Sequence, residues 1–402
     1  MRFFYLDPGL LNYVGHHAST CRIVTNELRR RGIETIVAGS AHVSPEVKAE
    51  LSVLPLFDFY TYQVVNDDPI AGWLTIFSQG VAVTTADLAK LPKMRANDVV
   101  FVNSAQPVQF MALVSWLNAM PPQDRPRIVI EFGSTPGLEL KQANGKVAFE
   151  SMDPRIDPRS VLYRYVGMNT SQELRKNLFL TTFDQASSKG YQLITGIETG
   201  VLPLPQQAYA PPRRKSGKRP ITVSVLGHQR GDKGYELMPE IIATLLARHP
   251  EIRILAHNAA PTQTPAAQEA IREIARKDAR VTVDERPANE PLWHELYANT
   301  DIMLCPYNPS KYVTAYSAIA VEALANGLPM VVPAGTSLAG FAVRHRGAAV
   351  TFNDFAGRPI ADAVSTAVTT YDGLAETALA AAENWNREDR KAMLVDHILG
   401  KR

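Results

Sequence analysis

Short apolar runs recur along this chain with amphipathic stretches between them, and this alternation limits the fold more than any other feature. Runs such as DVVFVN (98–103) and LPMVVP (328–333) have almost no polar face to turn to water. Strands of that kind belong in parallel sheets covered by helices on both faces. The first series comprises 2–6, 33–39, 98–103, 127–132 and 178–183. The second comprises 221–226, 252–257, 279–284, 301–306, 328–333 and 348–352. Between the first two runs, Cys21, Val24 and Leu28 fall on one helical face, and Gly32 follows Arg29, Arg30 and Arg31 as a natural helix stop.

A proline-rich stretch, VLPLPQQAYAPPRRKSGKRP (201–220), separates the two series. Proline fixes φ and removes a donor, so such a stretch reads as an extended linker. Its cations, Arg213, Arg214, Lys215, Lys218 and Arg219, read as a solvated run, with a contact to anionic lipid headgroups as the alternative. The expected organisation is an α/β chain of two Rossmann-like, doubly wound domains facing a cleft. Residues 1–205 form the first domain, 206–220 the linker and 221–378 the second domain. A closing helix spans 379–402 and is expected to cross back to the first domain.

A net charge of +2 lacks the dense basic surface that nucleic-acid binding needs. The two cysteines, Cys21 and Cys305, suit neither a metal site nor a disulfide framework. No apolar run approaches the length of a membrane span, and the N-terminus lacks an export signal. A cytoplasmic protein is expected, with a peripheral contact at the inner face of the membrane left open.

Ligands of open α/β sheets bind outside the carboxyl ends of the strands. Among the loops there, LGHQRGDKG (226–234) stands out between a strand and a helix. Gly227, Gly231 and Gly234 let backbone approach an anion, and Arg230 and Lys233 add two cations. The helix that follows offers free N–H groups. This composition suits a diphosphate; a solvated turn is the competing reading. A second stretch, 306–341, holds a helix start at Ser317 and an acid, Glu322, among small and apolar residues. Glu322 either faces solvent or accepts hydrogen bonds from ligand hydroxyls. Tyr307 and Tyr312 read as ligand-packing rings or as loop anchors.

In order and spacing these features resemble the donor domain of the GT-B glycosyltransferases, particularly the large retaining family 4. The match runs through G-x5-K-G at Gly227, Lys233 and Gly234 with Arg230 nearby. It continues through the lead-in LWHELYANTDIMLCPY (292–307), then Glu322 with ALANGLPMVV (323–332). It extends more loosely to the glycine loop at Gly15, to LPLP before the linker and to the closing helix. The first Glu of the family's E-x7-E pattern is replaced by Thr314. The resemblance implies a nucleotide diphosphate sugar as co-substrate, held around Gly15, Gly227, His228, Thr314, Ser317, Ala318 and Glu322. It implies that Arg230 and Lys233 neutralise the leaving diphosphate, with no metal and no further cofactor. Glu322 would bind the ribose hydroxyls. The implied activity is retaining transfer of a sugar to a glycan or lipid-linked acceptor in surface polysaccharide synthesis. A degenerate GT-B protein acting as a binding or scaffold subunit, or a sugar-nucleotide epimerase, are the alternatives.

In the first domain, His16, Asn103 and Glu131 are the acceptor or cleft candidates, since strand-end polar residues border the crevice. Of the adjacent His16 and His17, at most one is expected to face it.

Overall fold

The computed structural model describes residues 1–13, 16–60, 62, 68–133, 136–143, 146–211, 220–287, 289–313 and 317–401. The chain divides into two compact units, one of Met1–Leu204 with Lys391–Arg402, the other Pro205–Arg390.

The first unit is built on strands β1 (Arg2–Asp7), β2 (Glu34–Ser40), β3 (Val53–Phe57), β4 (Val99–Val102) and β5 (Arg127–Glu131). A two-stranded antiparallel hairpin, β6 (Leu138–Ala143) and β7 (Lys146–Ser151), lies outside the main sheet. Strands β8 (Leu178–Thr182) and β9 (Thr199–Val201) complete the sheet in the order β3-β2-β1-β4-β5-β8-β9. Every pairing in it is parallel. Both faces are covered. Phe4, Leu6, Val100, Val102, Ile128 and Ile130 point into one core, and Phe3, Tyr5, Val99, Phe101 and Val129 into the other. This explains the unbroken apolar runs.

The hairpin, β3 and β9 carry weaker sequence signals. Strand β3 contains Pro55 and sits at the sheet edge, where a missing N–H is tolerated. Strand β9, only three residues long, forms the opposite edge.

The expected closing helix over 379–402 is two helices, Tyr371–Asn386 and Arg390–Leu399, and from Lys391 on the second belongs to the first unit. It buries Leu394, Val395 and Ile398 beside Phe3, Cys21 and Leu28. Arg31 donates to the Asp396 carboxylate and to the Ala392 carbonyl, and Arg127 to the Ile398 carbonyl.

The second unit has a six-stranded parallel sheet of β10 (Thr222–Val225), β11 (Arg253–His257), β12 (Val281–Asp284), β13 (Ile302–Leu304), β14 (Met330–Pro333) and β15 (Ala349–Phe352). Their order is β12-β11-β10-β13-β14-β15. All six strands coincide with runs read from the sequence. The helix Tyr371–Asn386 closes this unit, with the Trp385 indole N–H donating to the Gln206 carbonyl.

Strand order reverses once in each sheet, between β1 and β4 and between β10 and β13. Loops leaving two such strands diverge and open a crevice at their carboxyl ends. The loops 226–234 and 305–313 leave β10 and β13; Asp7 and Asn103 stand at the ends of β1 and β4.

Candidate functional site

In the second unit, the loop after β10 is held by glycine geometry. Gly227 has φ +108° and donates its N–H to His257 Nδ1 at 3.2 Å. Gly234 has φ +68°, and a Cβ there would lie 1.9 Å from the Pro306 carbonyl oxygen. The Asn308 N–H donates to the Asp232 carbonyl at 2.9 Å, so the loops after β10 and β13 are joined backbone to backbone.

That joint brings Lys233 and Arg230 to the crevice. The Lys233 ammonium lies 5.5 Å from the centroid of the Tyr307 ring, an arrangement in which ring and cation attract. No carboxylate pairs with it among the described residues. Burial, together with repulsion from Arg230, pushes its pKa down to about 8. Arg230 is exposed and forks onto Asp232 at 3.0 and 2.9 Å. The Tyr312 hydroxyl reaches the same carboxylate at 3.4 Å. His228 shares a hydrogen bond with the Gln263 side-chain oxygen at 2.8 Å, and burial lowers its pKa.

Ser317 caps the helix Ala318–Ala325, accepting from the Ala320 N–H at 3.5 Å. The first N–H groups of that helix have no intrahelical acceptor, so its start can receive an anion. Ile319 packs near Gly227, within 3.5 Å of where a Cβ would be, so the helix start lies against the glycine loop. Tyr307 and Tyr312 are buried and pack on one another with centroids 4.5 Å apart, as loop anchors.

Glu322 is buried within this helix. It does not face solvent. It accepts a hydrogen bond from the Tyr297 hydroxyl at 2.8 Å and another from Tyr209. Burial outweighs both donors and pushes its pKa up to about 7.

The first unit gathers a second cluster at its own switch point. Asp7, fully buried, ends β1. One of its oxygens accepts from the Gly9 N–H at 2.9 Å, the other from the Asn103 side-chain amide at 2.9 Å. Both lie within 2.9 Å of His17 Nδ1. Burial by itself would lower the His17 pKa, but the Asp7 charge and hydrogen bond hold it above the ordinary value. His17 Nε2 meets the Tyr62 hydroxyl at 3.1 Å.

Beside this pair, Glu131 accepts from the Ser104 N–H at 2.8 Å, and His16 Nε2 meets Ser104 Oγ at 2.8 Å. Ser104 has φ +53°, strain of the kind kept at functional crevices. Burial pushes Glu131 up to about 7 against that N–H. The rings of His16 and His17 stack with centroids 4.5 Å apart.

Arg230, Lys233, Gly227 and His228 thus share one loop, with Ser317 and Ala318 beside it. His16, Asn103 and Glu131 share the other cluster. Gly15 and Thr314, and the basic run Arg213–Arg219, lie outside the described residues. Both His16 and His17 enter the cluster, each with its own oxygen partner. Asp7 and His17, missed as site residues, are its centre. A sequence signal existed, since Asp7 ends an apolar strand just as Asn103 and Glu131 do. Among the described residues no group of three or more His, Cys, Asp or Glu is arranged to hold a metal ion, and no helix is long and apolar enough to cross a membrane.

Two doubly wound units with crevices at their switch points define the GT-B fold, the fold of a large class of glycosyltransferases. Solved structures make the likeness particular. Sucrose-phosphate synthase from Thermosynechococcus elongatus superposes with a TM-score of 0.62 at 12% identity, over 99% of this chain and 96% of that one. A UDP-forming trehalose-phosphate synthase from Burkholderia xenovorans gives 0.66 at 9%, over 100% and 98%. Anabaena HepE, in complex with UDP and glucose, gives 0.62 at 14%, over 100% and 98%. At such identities the likeness is one of fold. No family model and no curated protein sequence matches the chain.

Proposed function

We propose that this chain is a glycosyltransferase. It moves a sugar from a nucleotide diphosphate sugar to a glycan or lipid-linked acceptor, in the synthesis of a surface polysaccharide. The observation that carries the reading is Lys233, a half-buried cation without a carboxylate partner among the described residues, set in a glycine loop at the switch point of the second sheet. A cation kept there at the cost of burial suits an anionic ligand. Structural neighbours support the choice of anion: HepE was solved with UDP and glucose, and a trehalose-6-phosphate protein of E. coli with UDP-2-fluoro glucose.

The donor diphosphate sits on Lys233, Arg230 and the N-terminus of the helix Ala318–Ala325. Arg230 releases Asp232 to do so. As the bond between anomeric carbon and phosphate oxygen breaks, negative charge grows on the diphosphate, and the two cations stabilise it more in the transition state than in the ground state. With two cations supplying that charge, no metal is required. Glu322 accepts the ribose hydroxyls, exchanging them for a tyrosine donor. The acceptor binds the first unit, at the cluster of His16, Asn103 and Glu131. Retention of anomeric configuration follows the motif resemblance.

The test is thermal stabilisation by UDP, GDP, ADP, dTDP and CMP, with and without Mg2+. Ligands that bind only the native state raise the melting temperature. One diphosphate is expected to do so without metal, and Lys233→Ala to abolish the shift. No shift with any nucleotide overturns the reading.

A further inference from the structure

In the first unit, the helix Pro69–Leu88 carries its better apolar stripe on the outside. Surface helices normally keep apolar residues toward the core and polar residues toward water. Here the buried positions include Gly72, Ile76, Gly80, Thr84 and Asp87. Ile70 and Leu74 are 40% and 56% exposed, and Phe77 and Val81 are half-buried. We propose that this outer face, with the helix Arg159–Asn169 beside it, is the contact through which two copies of the chain form a symmetric dimer. Such a dimer forms whatever reaction the chain performs.

The inward face has a reason for its small residues. A Cβ at Gly80 would lie 2.8 Å from the Phe59 ring, so glycine lets the helix sit close to the body of the unit. The Thr84 hydroxyl is buried there without a hydrogen-bond partner. Asp87 accepts from the Asp58 N–H at 3.0 Å and from Lys90 at 2.6 Å. Among the described residues nothing covers Ile70 and Leu74. With Phe77 and Val81 they fall at i, i+4, i+7 and i+11, the alternation of four and three by which one helix packs along another.

The second helix repeats the pattern. Val161, Tyr165 and Met168, at i, i+4 and i+7, are 52%, 50% and 78% exposed, while Tyr163 and Val166 point into the core. The two stripes meet where the Phe77 and Tyr165 rings stand edge to face, with centroids 6.0 Å apart. Both helices flank the helix Pro107–Asn118, itself buried along nearly its whole length, and so form the outer layer on that face of the sheet.

Charge selects the occupant. No residue from 69 to 86 is charged, in a chain where 20% of residues are. Arg159, whose guanidinium stands 5.8 Å from the Trp73 ring, is held by Asp157 at 2.6 Å. A lipid surface binds through cations beside the apolar face, and the helix Pro69–Leu88 has none. A strongly charged partner finds nothing there to complement. A second copy needs no complement: about a two-fold axis the patch meets itself, and an uncharged stripe brings no like charges together.

The area agrees. At about 150–250 Å² for a large side chain, Ile70, Leu74, Val161, Tyr165 and Met168 expose on the order of 500 Å² of largely apolar surface. A standard interface buries about 800 Å² per partner, somewhat over half of it apolar. Tyrosine and methionine are residues enriched in such contacts.

Sedimentation velocity of the full chain from about 1 to 100 µM tests this. The wild type is expected to reach twice the mass of one chain as concentration rises. Leu74→Glu and Tyr165→Glu each bury an unpaired charge in the contact and are expected to raise the dissociation constant 10²-fold or more. Where the wild type is monomeric, both variants should melt close to it, since both positions are exposed. Val343→Glu, the same change at a 79% exposed position of the second unit, should leave association unaltered. A wild type that keeps the mass of one chain throughout overturns the proposal. So does a dimer that survives both Leu74→Glu and Tyr165→Glu, or one that Val343→Glu disrupts as strongly. A monomeric wild type that floats with vesicles of phosphatidylglycerol and phosphatidylethanolamine, when Leu74→Glu does not, gives the face to a lipid surface and likewise overturns the dimer.

Discussion

The α-carbon of Gly234 lies so close to the carbonyl of Pro306 that a side chain there would put its first atom 1.9 Å from that oxygen. The glycine also has φ +68°, which costs other residues about 1–2 kcal/mol. One position therefore makes two demands, and both concern the joint between the loops that leave β10 and β13. Gly234→Ala is expected to lower the melting temperature by several degrees and to abolish stabilisation by nucleoside diphosphate. The paired melts, with and without ligand, measure both.

Lys233→Ala and Arg230→Ala test the charge on the leaving group. Each is expected to lower kcat by roughly 10²- to 10³-fold, the loss typical of one donor to a developing anion. The ligand-free melting temperature should stay close to that of the parent, since Arg230 is exposed and Lys233 half-buried. With Lys233 held at about 8, the ammonium is lost as pH rises past that value, so diphosphate affinity should weaken above pH 8. A calorimetric titration from pH 6.5 to 9.5 checks this.

Stability of the first unit should decline from acid to neutral pH. Burial raises Glu131 from 4.5 to about 7, so folding favours its protonated form. That contribution is complete below pH 4.5 and is lost as pH rises through 7. His17, held above 6.5, acts in the same direction: its share is complete below 6.5 and is lost as pH passes its folded value. Each unit of pKa difference is worth about 1.4 kcal/mol. Glu131→Gln should flatten the dependence, as denaturant melts between pH 4.5 and 8 would record.

Glu322→Ala should both destabilise the second unit and weaken nucleotide binding. Removing the carboxylate strands the hydroxyl of Tyr297, which is buried, and costs about 1–3 kcal/mol. Restoring the hydroxyl balance with Tyr297→Phe in the same chain should recover part of the stability but none of the affinity. Denaturation and nucleotide titration of the two variants separate these effects.

Local pattern carried much of this protein. Strands β10 to β15 were legible because a parallel strand covered on both faces must be apolar at nearly every position. The loop 226–234 was legible as a tight turn between strand and helix because its glycines are neighbours in the chain. Ser317 was legible because a helix cap is local chemistry. The edge strands β3 and β9 and the hairpin β6–β7 were not, since an edge tolerates Pro55 and three residues suffice at the far side. The burial of Glu322 was not legible either; its donors, Tyr297 and Tyr209, come from an earlier helix and from the stretch before β10.

The first-unit cluster shows where the line falls. Nothing in the sequence near Asp7 says that His17, ten positions on, turns back onto it, or that Asn103, 96 positions away, completes its shell. Those contacts exist because β4 pairs beside β1 and the chain reverses its winding between them. Periodicity and composition act over a few residues and determine which segments become strands, helices and tight glycine turns. Bringing separate strand ends together around one carboxylate depends on strand order, which only the folded sheet decides.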